Sequence, residues 1–353
     1  MAITVLVVDD SAFMRQLIKQ MLESDPAIKV IAVATDGIDA LNKIEFFRPQ
    51  VVTLDLEMPR MDGLTMLAEV MRKHPLPVVV VSSIAAEGGE QTLQALELGA
   101  VDFVTKPVAK PSQELWQIQD ELVLKVKAAA GVRPDLIKQL PVTKPVPEKA
   151  FAGVPSTGIV AVGASTGGPR ALRYLLSQIP ADFPWGIIIA QHIPVEFTQS
   201  FASRLGALTS LRVKVAAEDD EVRSGQVLVA PSGLQTGVVK EDGKTRIKLE
   251  QSDAIYRPSI DYLFNSVAAV YKENTVGVLL TGMGADGAYG LKVIQEAGGV
   301  TIAEAEASCV IYGMPRVAAE IGAVHHQLPL EEIPNCLSTV LDRYTQNSNG
   351  SWR

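Results

Sequence analysis

Short runs of β-branched and aliphatic residues recur along this chain with helix-period stretches between them, and that alternation restricts the fold more than any other feature. Strands alternating with amphipathic helices build parallel sheets covered on both faces. In the first third, strands are expected at 3–8, 30–34, 51–56, 77–82 and 101–105. Phe13, Leu17 and Met21 lie one turn apart in the first helical stretch, with Met14, Ile18 and Leu22 as the adjoining row. A last helix near 112–129 presents Leu115, Ile118, Leu122 and Val126 to a core. Five such units predict a flavodoxin-like, doubly wound five-stranded domain over residues 1–130, with its site at the carboxyl ends of the strands.

The rhythm then breaks. Residues 131–156 carry Pro141-Val-Thr-Lys-Pro145-Val-Pro147, where proline removes backbone donors and disfavours helix, so this stretch is expected to be an interdomain linker. Apolar runs resume at 159–162, 186–190, 226–230, 275–281, 299–303 and 324–328, predicting a second doubly wound α/β domain over 157–345. Gln235 to Glu250 alternates around Asp242-Gly243 and reads as a surface hairpin. Residues 346–353 form a polar, frayed tail. A length of 353 residues with 47% apolar residues supplies enough material for two cores.

Charge and cysteine usage narrow the function. A net charge of -8 argues against an electrostatic nucleic-acid footprint, and no basic recognition helix follows the linker. Two cysteines, Cys309 and Cys336, suggest no disulfide framework and fit a reducing cytosol. The opening strand runs into Asp9-Asp10 too soon for a signal peptide, and no apolar run reaches membrane-spanning length, so neither export nor membrane insertion is expected.

Asp9 and Asp10 end the first strand and Asp55 nearly ends the third, so the reversal in strand order gathers three carboxylates at one edge. Their mutual repulsion is relieved by a hard divalent cation such as Mg²⁺. Lys106 follows the fifth strand and Ser82 closes the fourth, adding an ammonium and a hydroxyl. This set suits phosphoryl transfer to the Asp55 carboxylate. Spacing does not separate Ser82 from Ser83 as the hydroxyl. An Asp-Asp pair alone reads as solvated loop acids, but the full constellation resembles the receiver domain of two-component response regulators. That resemblance implies phosphorylation of Asp55 by a histidine kinase, Mg²⁺ on Asp10 and Asp55 with Asp9 nearby, and a reorienting aromatic at Phe103.

In the second half, Gly163-Ala-Ser165-Thr-Gly167 follows a strand, opens a helix and matches Gly-x-Ser-x-Gly, which projects a nucleophilic hydroxyl from a sharp turn. His192 directly follows the strand at 186–190, whereas His325 and His326 stand at the wrong end of theirs, so His192 is the expected base. Thr281-Gly-Met283-Gly-Ala-Asp286-Gly follows another strand, making Asp286 the orienting acid and the backbone at Met283 a candidate oxyanion donor. The same loop also spells a dinucleotide fingerprint, Gly282, Gly284 and Gly287, with Glu304 about twenty residues on. Asp286 would place a negative charge where pyrophosphate must sit, which disfavours that reading.

Taken together, these motifs resemble the chemotaxis protein-glutamate methylesterase (CheB) family over about residues 1–345. The resemblance implies a cytoplasmic, serine-dependent carboxylic ester hydrolase that needs no cofactor for its esterase reaction. It would release methanol from glutamate methyl esters, and deamidate glutamines, on the cytoplasmic helices of methyl-accepting chemoreceptors. A chemotaxis histidine kinase would phosphorylate Asp55 and uncover a site that the resting receiver covers. Readings left open are another ester hydrolase, a phospho-regulated binding protein with an inactive hydrolase fold, and a DNA-binding response regulator.

Overall fold

The structure, a computed structural model, describes residues 2–82, 86–106, 113–137 and 153–349, apart from the side chains of 86–88, 113–117 and 342–349. Residues divide into two compact units, 1–140 and 141–353, described in turn.

The first unit is a parallel sheet of β1 (Ile3–Val8), β2 (Ile28–Ala34), β3 (Val51–Leu54), β4 (Val78–Ser82) and β5 (Asp102–Thr105), in the order β2-β1-β3-β4-β5. Its central strands read as continuous apolar runs because helices cover both faces; Val5, Leu6, Val7, Val51, Val52 and Leu54 are all buried. The helix Ala12–Glu23 turns Ile18, Met21 and Leu22 inward, while Phe13, in its first turn, remains 72% exposed. Leu122 and Val126 of the helix Gln113–Ala130 are buried, as the periodicity predicts. A 3-10 turn at Pro134–Ile137 follows, with Ile137 buried. Most of the segment expected as a linker, residues 138–152, lies outside the described residues.

In the second unit the parallel sheet has seven strands: β6 (Ile159–Ala164), β7 (Gly186–Gln191), β8 (Arg212–Val215), β9 (Gln226–Val229), β12 (Thr275–Leu279), β13 (Val300–Glu304) and β14 (His326–Leu328). Their order is β14-β13-β12-β6-β7-β9-β8. The six expected strands are present; β8 is an addition, an edge strand whose Arg-Val-Lys-Val sequence carries no apolar run. Charged residues on an edge discourage pairing with another chain. Between β9 and β12, β10 (Gln235–Glu241) and β11 (Lys244–Glu250) pair antiparallel across Asp242-Gly243, both with positive φ (48° and 76°) as a tight hairpin requires. This hairpin is more than a surface flap. Val238 and Ile247 are buried in the cluster that contains Ile260, Phe264 and Val267 of the helix Ile260–Tyr271. The terminal helix runs from Ile333 through Asn349, past the point where a frayed tail was expected.

Candidate functional sites

Both sheets reverse their strand order beside their first strand, β1 in one and β6 in the other, the place where the carboxyl ends of such sheets form a crevice. Each candidate site lies at such a crevice.

In the first unit, Asp9 and Asp10 follow β1 and Asp55 follows β3; the Asp55 N–H donates to the Val8 carbonyl at 2.9 Å, which fixes the two strand ends side by side. Carboxylate oxygens of Asp9, Asp10 and Asp55 lie within 4.8 Å of one another. Lys106 Nζ stands 2.6 Å from Asp55 Oδ2 and 2.9 Å from Asp9 Oδ2. The Asp9 contact is an ion pair without hydrogen-bond alignment, so that buried oxygen has no hydrogen-bond donor. Burial, reinforced by the Asp9 charge, holds the Asp55 carboxyl above its ordinary value despite Lys106. Burial would lower the Lys106 ammonium, but Asp55 and Asp9 outweigh it and hold it above the usual lysine value. One cation against three carboxylates leaves surplus negative charge and an unmatched buried oxygen, a donor set that fits a hard divalent ion. Ser82 is buried at the end of β4, and Lys106 N–H donates to its carbonyl at 2.7 Å. Ser83 and Pro107 lie outside the described residues. Phe103 is buried in β5; its N–H donates to Asp102 Oδ1 at 2.8 Å, and its carbonyl accepts from Lys125 Nζ at 2.6 Å.

In the second unit, β6 ends at Ala164, Ser165 follows, and the helix Gly168–Ser177 begins three residues later. Gly167, with φ of 78°, sits against Val310, where an added Cβ would come within 2.6 Å, so the turn tolerates only glycine. Gln191, buried at the end of β7, donates from Nε2 to the carbonyls of Ser165 at 2.9 Å and His192 at 3.1 Å, tying the two loops together. His192 Nδ1 lies 3.2 Å from Ser165 Oγ, and His192 Nε2 lies 2.9 Å from Asp286 Oδ2. With Nε2–H donating to the Asp286 carboxylate, the Nδ1 lone pair faces the hydroxyl.

Asp286 receives three further hydrogen bonds, from Ser259 Oγ at 2.9 Å, Ile260 N–H at 2.7 Å and Asp261 N–H at 3.0 Å. Its carboxylate therefore also closes the N-terminus of the helix Ile260–Tyr271, where the helix dipole favours an anion. Burial opposes ionisation, yet the bonds from His192, Ile260 and Asp261 prevail and hold the Asp286 carboxyl below its usual value. Met283, half-buried, follows Gly282, whose Cα faces the serine so closely that an added Cβ would lie 2.8 Å from Ser165 Cβ.

The second half of the apparent dinucleotide fingerprint has a different role. Glu304 is buried; its carboxylate accepts from Thr281 N–H at 2.8 Å and Ser308 Oγ at 2.9 Å, anchoring the loop that carries Met283 and Asp286. Burial pushes its carboxyl up to about 7. Sequence reasoning assigned no role to Ser259, Gln191 or Tyr256, whose ring stacks on His192. Ser259 was detectable as an N-cap serine directly before the helical Ile260-Asp-Tyr-Leu stretch.

Fold and sites together define a response regulator whose output unit is an α/β domain of enzyme type. Residues 5–117 match the response regulator receiver domain family and residues 160–337 match the CheB methylesterase family. Over 351 residues the chain is 47% identical to a protein-glutamate methylesterase/protein-glutamine glutaminase of Symbiobacterium thermophilum, covering 95% of this chain and 96% of that one. A second relative of that name, from Pseudomonas aeruginosa, is 43% identical over 340 residues, 96% of each. The crystal structure of the Thermotoga maritima CheB methylesterase catalytic domain, 39% identical, superposes over 53% of this chain and all of its own with a TM-score of 0.52. The chain belongs to the CheB methylesterase family.

Proposed function

We propose that this chain demethylates glutamate methyl esters, and deamidates glutamines, on the cytoplasmic helices of methyl-accepting chemoreceptors, at a rate raised by phosphorylation of Asp55. The observation that carries the reading is the continuous hydrogen-bonded path Ser165 Oγ, His192 and Asp286 in a chain that also holds a phospho-acceptor cluster.

Ser165 Oγ attacks the γ-carbonyl carbon while His192 Nδ1 takes its proton, and Asp286 stabilises the resulting imidazolium through Nε2. Backbone N–H groups around Met283 receive the developing oxyanion. Collapse breaks the ester C–O bond; His192 returns its proton to methoxide, methanol leaves and the glutamyl-Ser165 ester remains. A water, deprotonated by His192, then cleaves that ester, and the proton goes back to Ser165, giving free glutamate. The amide reaction follows the same course with ammonia as leaving group.

In the receiver unit Asp55 Oδ is the phospho-acceptor, and Lys106 and Ser82 hold phosphoryl oxygens. Asp9, Asp10 and Asp55 would hold Mg²⁺, which neutralises charge on the transferring group when bound. The phosphodonor is a chemotaxis histidine kinase. The reaction takes place in the cytosol; among the described residues no helix is long and apolar enough to cross a membrane.

Methanol release from methylated receptor fragments, with and without a small phosphodonor, tests the proposal. Ser165→Ala is expected to lose at least about a thousandfold in rate while still accepting phosphate at Asp55. Methanol release by that variant at the wild-type rate overturns the nucleophile. Asp55→Asn is expected to retain basal turnover without stimulation, and equal stimulation of both proteins overturns the regulation.

A further inference from the structure

Two hydrogen bonds in the plane of an imidazole, one at each nitrogen, restrain it within that plane but do little against tilting out of it. In this protein a second ring supplies that restraint. The phenol of Tyr256 lies flat on His192, with centroids 4.6 Å apart and planes 5° from parallel. Its hydroxyl end reaches the loop that carries Met283 and Asp286, where an added Cβ on Gly284 would meet it at 3.4 Å.

Neither a strand nor a helix carries Tyr256; it belongs to the irregular stretch 251–259 between β11 and the helix Ile260–Tyr271. A single buried amide fixes it. Gln235, the first residue of β10, donates from Nε2 to the Tyr256 carbonyl at 2.8 Å and accepts at Oε1 from the Ser259 N–H at 2.8 Å. The Gly233 N–H adds a bond to the Arg257 carbonyl at 2.9 Å. Because Ser259 Oγ holds Asp286, the same amide positions the ring on the face of the imidazole and the hydroxyl on the carboxylate at its edge. Tyr256 is 41% exposed and its neighbour Ile255 is 93% exposed, so the ring is not held there by burial in a core.

We infer that Tyr256 is a positioning residue for the hydrolysis: its ring keeps the His192 plane aligned with both Ser165 Oγ and Asp286, and its π face favours the imidazolium formed when the serine proton is taken. The inference rests on the Ser165–His192–Asp286 reading above.

The test compares full-length Tyr256→Leu, which keeps apolar bulk without a π face, with Tyr256→Phe, which keeps the ring, using methylated receptor fragments and Ser165→Ala as reference. Tyr256→Leu is expected to lose about five- to tenfold in kcat with KM within about twofold, the scale of one aromatic stack, and Tyr256→Phe to recover to within about twofold of wild type. Nitrogen-15 NMR of the His192 ring supplies a readout independent of turnover. Wild type and Tyr256→Phe should hold the Nε2–H tautomer, and Tyr256→Leu should show both tautomers. Wild-type kcat in the leucine variant, a phenylalanine variant as slow as it, a loss confined to KM, or an unchanged tautomer in Tyr256→Leu overturns the inference. Activity persisting in Ser165→Ala would instead overturn the hydrolase reading beneath it.

Discussion

Asp55 and Asp286 each stand in a loop after a strand beside the reversal of strand order, one in a sheet of five strands and the other in a sheet of seven, and both are buried. Their electrostatic states are opposite. Asp55 has burial and the Asp9 charge against it and only the Lys106 ammonium and the Glu57 N–H in its favour, so its carboxyl is raised; Asp286 accepts four hydrogen bonds at a helix N-terminus and is lowered. Similar positions beside a strand reversal thus hold one carboxylate unsettled by burial and one settled by donors, which under the proposed function suits a phospho-acceptor and an orienting acid respectively. What distinguishes them is the count of donors aimed at each carboxylate, which the loops supply and the sheet does not.

The largest break in this comparison comes from Asp286→Asn. It keeps the shape but offers the wrong partner to His192 Nε2, and kcat should fall by about 10³- to 10⁴-fold, as measured by ester turnover. Receiver phosphorylation should be unchanged. Next in size is metal dependence: at about a hundred times its dissociation constant, Mg²⁺ should stabilise the receiver by roughly 3 kcal/mol in calorimetry. Asp10→Asn, at an exposed position, should abolish most of that gain, and a gain untouched by it would place the ion elsewhere.

Smaller still is an effect of pH on the loop anchor. Glu304 has a folded value near 7, above its ordinary 4.5, so the folded state binds the extra proton between those values. Stability of the second unit should therefore fall as pH rises through about 7. Glu304→Gln, which keeps an acceptor for Thr281 N–H, should flatten that part of the melting profile; an unaltered slope would remove Glu304 as its source.

Sequence patterns mark the candidate residues where they stand at strand ends. Asp9, Asp10, Asp55 and Lys106, and likewise Ser165, His192 and Asp286, each follow an apolar run whose end is visible in the chain, and the topology then brings them together. Residues that act across the fold were not visible in this way. Tyr256 and Gln235 belong to segments with no shared periodicity, and only the packing of the hairpin against the helix Ile260–Tyr271 joins them. Glu304 stood at the right spacing for a ribose-binding acid, and only its burial under Thr281 gives its role. Strand β8 escaped notice because an edge strand needs no continuous apolar run.

The contrast between the two aspartates is measured most directly by carbon-13 NMR of their side-chain carboxyls during an acid titration of the metal-free chain. The account predicts that Asp55 takes up its proton above the ordinary 3.8 and Asp286 below it. The receiver should then gain stability as pH falls through the Asp55 value, and the second unit should lose the Asp286 contribution only below 3.8, as pH falls through its own lowered value. Titration of both carboxyls on the same side of 3.8, or in the reverse order, would contradict it.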